Sequence, residues 1–580
     1  MKTRLLFIVI AVLFTLPIQA QFQKTFTVSN QNFHDLNLEP THDNTNDFIV
    51  AGNLFDTSMQ NEVPYLQRLD QNGTVIWFKS YSHTSLVHAR FFDLIVVGNT
   101  IYVTGSIDVS GTKRVFISQI DASNGNVVAT NYYTIVGASF NSRGLKIIHT
   151  NSDANNDAVP DPGLVVGGFF SDCYAVNTSC MFNNLGFVLR TDLNLNILWT
   201  EELDASNTIN SLEYDFVNGI TETTDGFFIT GSATGTTTGS LIQQAVLAYK
   251  IDFQGNFSWD SSYIFGNSSD SSADAYFDIG TNEIYMLVNY SISHYFGVTV
   301  LNNTTGAIVP SKSWYASGQD LDRYGFRIME SGNSANNLVI SGYDRDENWS
   351  GGGASFFGQS NIIVYEFAKA TGAQVGTSYQ YLVPHVEPAG DEFNFWTGQF
   401  PTMYFPDMSQ FIVDTAGNAE YYHVGYRTDP SATFTSAEIF RTPLNLRNEC
   451  ENLVNMLNPN AAGFQFTTVT SAGVPNTSQA ITLNAVSVSF TESMCDPTLP
   501  VQEFNKNTGY FYPNPASEYI HYSTNDLVSF NLYDFSGKLL KTEKSEDIQQ
   551  IFIGNLNTGM YFIQGEDVHG NLMTFRFIKE

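Results

Sequence analysis

Side chains suited to chemistry gather in two stretches. From Glu387 to Trp396 the chain sets Asp391 and Glu392 beside Phe393, Phe395 and Trp396. Carboxylates next to aromatic rings can hold a sugar, the acids bonding its hydroxyls and the rings covering its C–H faces, or can work as acid and base on a glycosidic bond. The same residues also suit packing beneath a long connection, and Trp349, in YDRDENWSGGGASFFGQSN, admits the same two readings. The second stretch, SDANNDAVPDPG, puts Asp153, Asn155, Asp157 and Asp161 at positions 1, 3, 5 and 9 of a loop. Oxygen ligands at that spacing can wrap a hard cation, so calcium is the one cofactor the residues suggest, with a plain surface turn as the alternative. The chain has no HExxH, no GxSxG, no P-loop and no GxGxxG, and its ten histidines lack metal-ligand spacing.

Both stretches hang on a repeated unit. Residues 227–264 show it most clearly: a short apolar strand ending in Gly231, a polar loop, an alternating strand ending in Asp252, a turn at Gly255, and a strand carrying Trp259. The apolar strand recurs as FIVAG, IYVTG, LVVGG, FFITG, IYMLV, LVISG and YYHVG, ending at Gly52, Gly105, Gly168, Gly231, Val288, Gly342 and Gly425. A period of roughly 50–60 residues with four strands per unit is that of a β-propeller blade. Trp77, Trp199 and Trp259 recur in the fourth strand, where packing between blades is the expected role. The seventh unit lacks its fourth strand, and residues 23–30, QKTFTVSN, are expected to supply it and close the ring.

This plan assigns loops to faces. Connections between strands two and three share a face with the blade-to-blade connections, and the long stretches 170–185, 232–242, 343–361 and 384–402 all fall there. Binding is expected on that face. The Asp153 loop belongs to the opposite face, which gives it a structural role. That loop resembles the DxDxDGxxD loops of integrin-type FG-GAP propellers, which also precede an hhhG strand; Ala158 stands where those hold glycine, and a single blade has the pattern. Some units also resemble the quinoprotein dehydrogenase repeat: NTTGAIVP and KATGAQVG share its Thr-Gly, and Asp252 to Trp259 its two ends. This is a likeness of blade architecture, and the adjacent cysteine pair of quinone-binding members is missing.

The C-terminal stretch has its own signature. FYPNPASEYIHY, LVSFNLYDFSGKLLKTEK, IFIGNLNTGMYFIQGED and NLMTFRFIKE read as short strands between Asn, Gly and Pro turns. They resemble the type A C-terminal sorting domain of proteins exported by the type IX secretion system of Bacteroidetes. The matching positions are Tyr512, Pro513, Asn514 and Pro515, then Tyr533, Asp534, Gly537 and Lys538, then Leu556, Gly559 and Tyr561, with Arg576 and Lys579 in the tail. Phe575 departs from it, since such tails often carry lysine there. The resemblance implies an Ig-like β-sandwich, handling by the type IX machinery and passage across the outer membrane, to a chain that ends secreted or on the outer cell surface.

Charge and cysteines agree with that destination. There are 57 acidic residues against 26 basic ones, a formal charge of −31, which repels nucleic acid and anionic lipid. Cys173 and Cys180, and Cys450 and Cys495, form two local pairs that suit disulfides in an oxidising compartment. Residues 1–20, MKTRLLFIVIAVLFTLPIQA, read as a signal peptide with a basic start, a short apolar run, Pro17 and a small residue at Ala20, and no transmembrane helix is expected in the mature chain.

The expected architecture is therefore all-β: signal peptide 1–20, a seven-bladed β-propeller over 21–447 closed by the N-terminal strand, a small disulfide-tied β segment or spacer over 448–506, and the sorting domain over 507–580. The expected function is binding or adhesion without catalysis, toward an extracellular glycan or protein that the sequence does not name. An extracellular polysaccharide hydrolase or lyase using Asp391 or Glu392 is the second reading, and a structural surface-layer component the third.

Overall fold

A computed structural model describes residues 23–494 and 511–580, apart from short stretches between strands and the longer ones 172–182, 205–212, 235–243, 346–359 and 386–407. The described residues form strands and turns, with no helix among them. Compact units divide at residue 495.

Within the first unit the chain folds into seven separate antiparallel sheets. Sheet one is Gln31–Pro40, Phe48–Asp56, Asn61–Leu69 and Val75–Ser82. Sheet two is Ala89–Val97, Thr100–Val109, Thr112–Asp121 and Val127–Ile135. Sheet three is Asn141–Thr150, Gly163–Ser171, Asn183–Asp192 and Ile197–Asp204, with the short Glu213–Tyr214 beside its third strand. Sheet four is Phe216–Glu222, Phe227–Thr234, Gln244–Ile251 and Phe257–Ile264. Sheet five is Asp270–Asp278, Glu283–Tyr290, Tyr295–Asn302 and Trp314–Ser317, and sheet six is Asp322–Ser331, Ser334–Arg345, Ser360–Ala368 and Tyr379–His385. Sheet seven holds Met408–Ile412, Ala419–Thr428 and Thr435–Pro443, and its fourth strand is Gln23–Thr27, paired Lys24 to Ile439.

The core lies between sheets. Phe33, Phe48 and Tyr65 of sheet one meet Tyr422, Val424 and Ile439 of sheet seven, and comparable clusters join sheet one to two, two to three, three to four, four to five and five to six. The apolar faces of these sheets thus find their cover on one another, which makes the first unit an all-β, propeller-like array.

The repeated tryptophans have the packing role expected of them. Trp77, Trp199 and Trp259 donate their indole N–H to the carbonyls of Ala122, Phe253 and Asn303 in the following sheet, at 3.1, 3.1 and 2.8 Å. Each ring lies on the turn glycine of that sheet, Gly125, Gly255 or Gly306, and Trp314 does the same on Gly372. These glycines have φ of 67°, 85°, 68° and 65°, so the position needs both the left-handed backbone and the missing side chain.

The stretch expected to be a separate small β segment is built differently. Residues 451–494 join the seven sheets, one short strand each: Glu451–Leu453 on sheet six, Asn458–Asn460 on five, Gln465–Thr467 on four, Thr470–Gly473 on three, Asn476–Ala480 on two, Asn484–Ser487 on one and Thr491–Met494 on seven. Strands of three to five residues rich in Asn, Ser and Thr cannot hold a core of their own, whereas the fourth strand of every sheet offers an edge to pair with.

One buried titratable group gives this unit a pH response. His423, on the second strand of sheet seven, is fully buried, and burial pulls its imidazole down to about 3 from 6.5. The unfolded chain then takes the proton first on acidification. The contribution of His423 is complete above pH 6.5 and declines toward pH 3, with about 2 kcal/mol lost at pH 5. The unfolding free energy from urea titrations at pH 7 and pH 5 should fall by that amount in the native protein, and by less in His423→Asn.

The second unit is a two-sheet sandwich. Phe511–Tyr512, Tyr519–Tyr522 and Gln550–Phe552 form one sheet. The other has the order Leu539–Lys544, Leu527–Asp534, Gly559–Asp567, Leu572–Lys579. Ile520, Leu527, Phe530, Ile551, Ile563 and Phe577 fill the space between them.

Candidate functional site

Residues 151–162 connect the first and second strands of sheet three, and the acidic loop closes on its own backbone. The Asp153 carboxylate accepts the N–H of Asn155, Asn156 and Ala158 at 3.0, 2.7 and 2.6 Å. Asn155 accepts from Asp157 N, Asp157 from Val159 N, and Asp161 from Ala154 N. Slight desolvation pushes the Asp153 carboxyl up, and the N–H groups of Asn155 and Ala158 outweigh it, holding the acid below its ordinary value. No three of the described acidic, His or Cys side chains converge as a metal-holding group. The loop is tied to the scaffold from beneath: Arg190 donates to the carbonyls of Ser152 and Asp161 at 2.5 and 3.1 Å, and Gln254 of sheet four donates to that of Asp153 at 2.8 Å. It therefore stands on the same side as the strand three–four turns.

Ala158 occupies the glycine place of such loops with φ at 67°. An alanine there carries left-handed strain that glycine would relieve. Ala158→Gly is expected to raise stability by about 0.5 kcal/mol once the added freedom of the unfolded glycine is subtracted, read as a small upward shift of the urea midpoint.

A set of charged residues on the innermost strands escaped sequence reasoning. Each first strand of sheets one to six carries a β-bulge. In sheets one, two, four and five a residue at or beside it reaches the first strand of the next sheet, as Asn37 does in donating to Phe92 O. Asp93 accepts Ile147 N at 2.8 Å and lies 3.2 Å from Lys146. Asn218 donates to Ser272 O at 3.1 Å, and Asp274 accepts Ile328 N at 3.1 Å. Arg327 approaches Asp274 at 3.6 Å and Glu39 of sheet one at 3.7 Å. Inner strands cannot ladder with one another across the array, so side chains satisfy their edges instead. These charges are consumed in structure; the signal in the sequence was a charged residue placed just before an apolar pair or run, as at Asp93, Lys146, Asp274 and Arg327.

A third group holds the strand ends. Arg68 bonds Asp47, Asp43 and the carbonyl of Ala122 in sheet two. Lys250, buried, reaches Thr223 and Asp225 at 2.5 Å each. Arg441 of sheet seven donates to Gln71 O of sheet one at 2.7 Å, the same contact that Arg68 makes from sheet one to sheet two.

In the second unit the sorting motif clasps the last strand. Asn514 donates to Arg576 O at 3.1 Å and accepts Ile578 N at 3.0 Å, while Ala516 N bonds Ile578 O at 2.8 Å. Pro515 lies between these two residues. Asp534 accepts Lys538 N at 3.0 Å. Tyr561, on the strand opened by Gly559, stacks on Phe577 with centroids 5.6 Å apart and donates to Asn557 O. Lys579 is buried, and Tyr512 is half-exposed beside His521. Asn514→Ala removes both side-chain bonds to the tail and should lower the stability of this domain by about 2 kcal/mol, measured as a loss of amide protection across Leu572–Lys579.

The remaining residues singled out by sequence, Trp349, Asp391, Glu392, Trp396, Cys173, Cys180, Cys450, Cys495, Pro513 and Gly537, lie outside the described residues.

Residues 510–580 match the secretion system C-terminal sorting domain family. No curated protein matches the chain. Among solved structures, the WD40 domain of SCAP from fission yeast is similar at 9% identity, covering 73% of this chain and 88% of that one with a TM-score of 0.29. The extracellular domain of a hybrid two-component system from B. thetaiotaomicron is similar at 10% identity, covering 97% and 99% with a TM-score of 0.19. At such scores the sheet topology alone carries the fold. The sorting domain establishes a type IX export route and hence a location on the cell surface or outside the cell. No helix among the described residues is long and apolar enough to cross a membrane.

Proposed function

We propose that the seven sheets are the blades of one closed β-propeller, and that the exported protein is a binding or adhesion protein whose extracellular ligand seats on the face bearing the strand two–three and blade-to-blade connections. The contact of Arg441 with Gln71 supports closure, because it repeats from sheet seven to sheet one the contact of Arg68 with Ala122. One observation carries the binding face. The two longest connections, 346–359 and 386–407, leave the meander on the same side as 172–182 and 235–243, while the longest on the other side is the acidic loop 151–162. Two of them hold Trp349, Asp391, Glu392 and Trp396, the residue types that grip a sugar by ring faces and carboxylates.

The test is an array of extracellular polysaccharides and surface proteins probed with the purified protein, with and without calcium. Binding without product release is expected, reduced at least tenfold in Trp349→Ala or Trp396→Ala. Cleavage of a polysaccharide that Asp391→Asn or Glu392→Gln abolishes would replace this reading with a hydrolase or lyase.

A further inference from the structure

The short strands of residues 451–494 take the sheets in the order six, five, four, three, two, one, seven. They make one circuit against chain order and visit every sheet once. Each pairs antiparallel with the outermost strand: Glu451 with Tyr381, Asn460 with Tyr315, Thr467 with Ser262, Gly473 with Glu201, Ser478 with Tyr133, Val486 with Ser80, Met494 with Lys24.

Three of the seven strands beneath are poorly protected by their own sequence, while Lys24, Lys79, Glu201, Glu202 and Pro384 guard the others. Val127–Ile135, VVATNYYTI, holds no charge and no proline, and neither does Trp314–Ser317, WYAS. Phe257–Ile264, FSWDSSYI, has a single acid. Aromatic and β-branched strands of this kind, left open, pair with further chains; lysine, proline or a short length usually prevents it. The circuit strands ENL, NPN, QFT, TSAG, NTSQA, NAVS and TESM are small and polar, so they engage through the backbone. Strands so short hold weakly alone, and tethers of two to four residues between them keep each next one at high local concentration.

We propose that residues 451–494 are a strap that keeps the protein a single copy: seated, it covers the outer edge of all seven sheets, and unseated, those edges pair with the edges of a second copy of this chain. The strap works through cover supplied late in the chain, after every blade has been laid down, and a break in one of its strands bares one edge.

Proline pairs in the full chain test it, because one of two successive residues directs its N–H at the neighbouring strand. Thr477→Pro/Ser478→Pro breaks the strap on sheet two. A broader variant adds Phe466→Pro/Thr467→Pro, to open sheet four as well. Light scattering should find the native protein as one copy and the broader variant as species of at least twice the mass, growing with concentration. Hydrogen exchange in the sheet-two variant should speed at least tenfold at Asn131–Ile135 and stay unchanged at Thr112–Asp121. A broader variant that folds and remains one copy overturns the proposal, as does a native protein that is already multimeric. Should the broader variant fail to fold, the sheet-two variant decides: unchanged protection at 131–135, or equal loss at 112–121, overturns it as well.

Discussion

Gly231→Ala should cost the first unit about 4 kcal/mol, visible as a large drop in urea midpoint or as failure to accumulate. A Cβ on Gly231 would stand 1.8 Å from the carbonyl oxygen of Phe216. The cause is local. The first strand of sheet four shifts register between Val217 and Gly219, and the bulge turns the Phe216 carbonyl onto the second strand. The same contact recurs at Gly105 against Arg90 O and at Gly168 against Arg143 O, each 1.9 Å. Backbone sits on both sides of the clash, so a rotamer change cannot relieve it. Gly111→Ala is the control: φ is 82° but nothing lies within 4 Å, so only the left-handed strain of about 1 kcal/mol remains. Equal losses in the two variants would mean that the glycine acts through chain freedom and that the bulge does not press on it.

These glycines were legible as a period, and their reason was not. A bulge depends on the opposite strand, which a single window of sequence does not contain. The tryptophans were legible in position and role together, since a bulky ring repeated at one register has few places to go but the neighbouring sheet. The cations of the third strand show the converse. Arg68, Arg190 and Lys250 each precede a turn aspartate by two residues, a pattern open to inspection. A charge on an alternating strand reads as a solvated face, yet all three are buried. The strap left least trace, because small polar strands of three to five residues have no apolar alternation and exist only where bare edges await them. Of the candidate sites, the Asp153 loop showed its turn-forming side chains in the sequence, since Asp and Asn accept N–H groups within a few residues in almost any context. The set of Asp93, Lys146, Asp274 and Arg327 on the first strands was not, because its partners lie on other sheets.

Arg190→Met should likewise cost about 4 kcal/mol. The residue is fully buried. Its guanidinium donates to three main-chain carbonyls: Phe253 in sheet four at 2.6 Å, and Ser152 and Asp161 at the two ends of the acidic loop. It also lies over the Phe227 ring, 5.8 Å from the centroid. Methionine fills much of the volume but removes the charged donor from all three carbonyls, leaving Phe253 O with the Trp199 indole and Ser152 O with Asp161 N alone. Arg190→Lys keeps the charge and one donor direction, and should recover about half of the loss, because an ammonium cannot span the fork. Urea denaturation of the three proteins ranks them, and limited proteolysis within residues 151–162 reports the loop itself. Millimolar calcium then separates the two ways in which the loop can be held. A cation on Asp153, Asn155, Asp157 and Asp161 would restore part of the lost stability in Arg190→Met, because it would replace from the solvent side the positive charge removed from beneath. If calcium leaves the variant unchanged, the turn hydrogen bonds and Arg190 are what fix the loop, and its acids are turn formers held between sheets three and four.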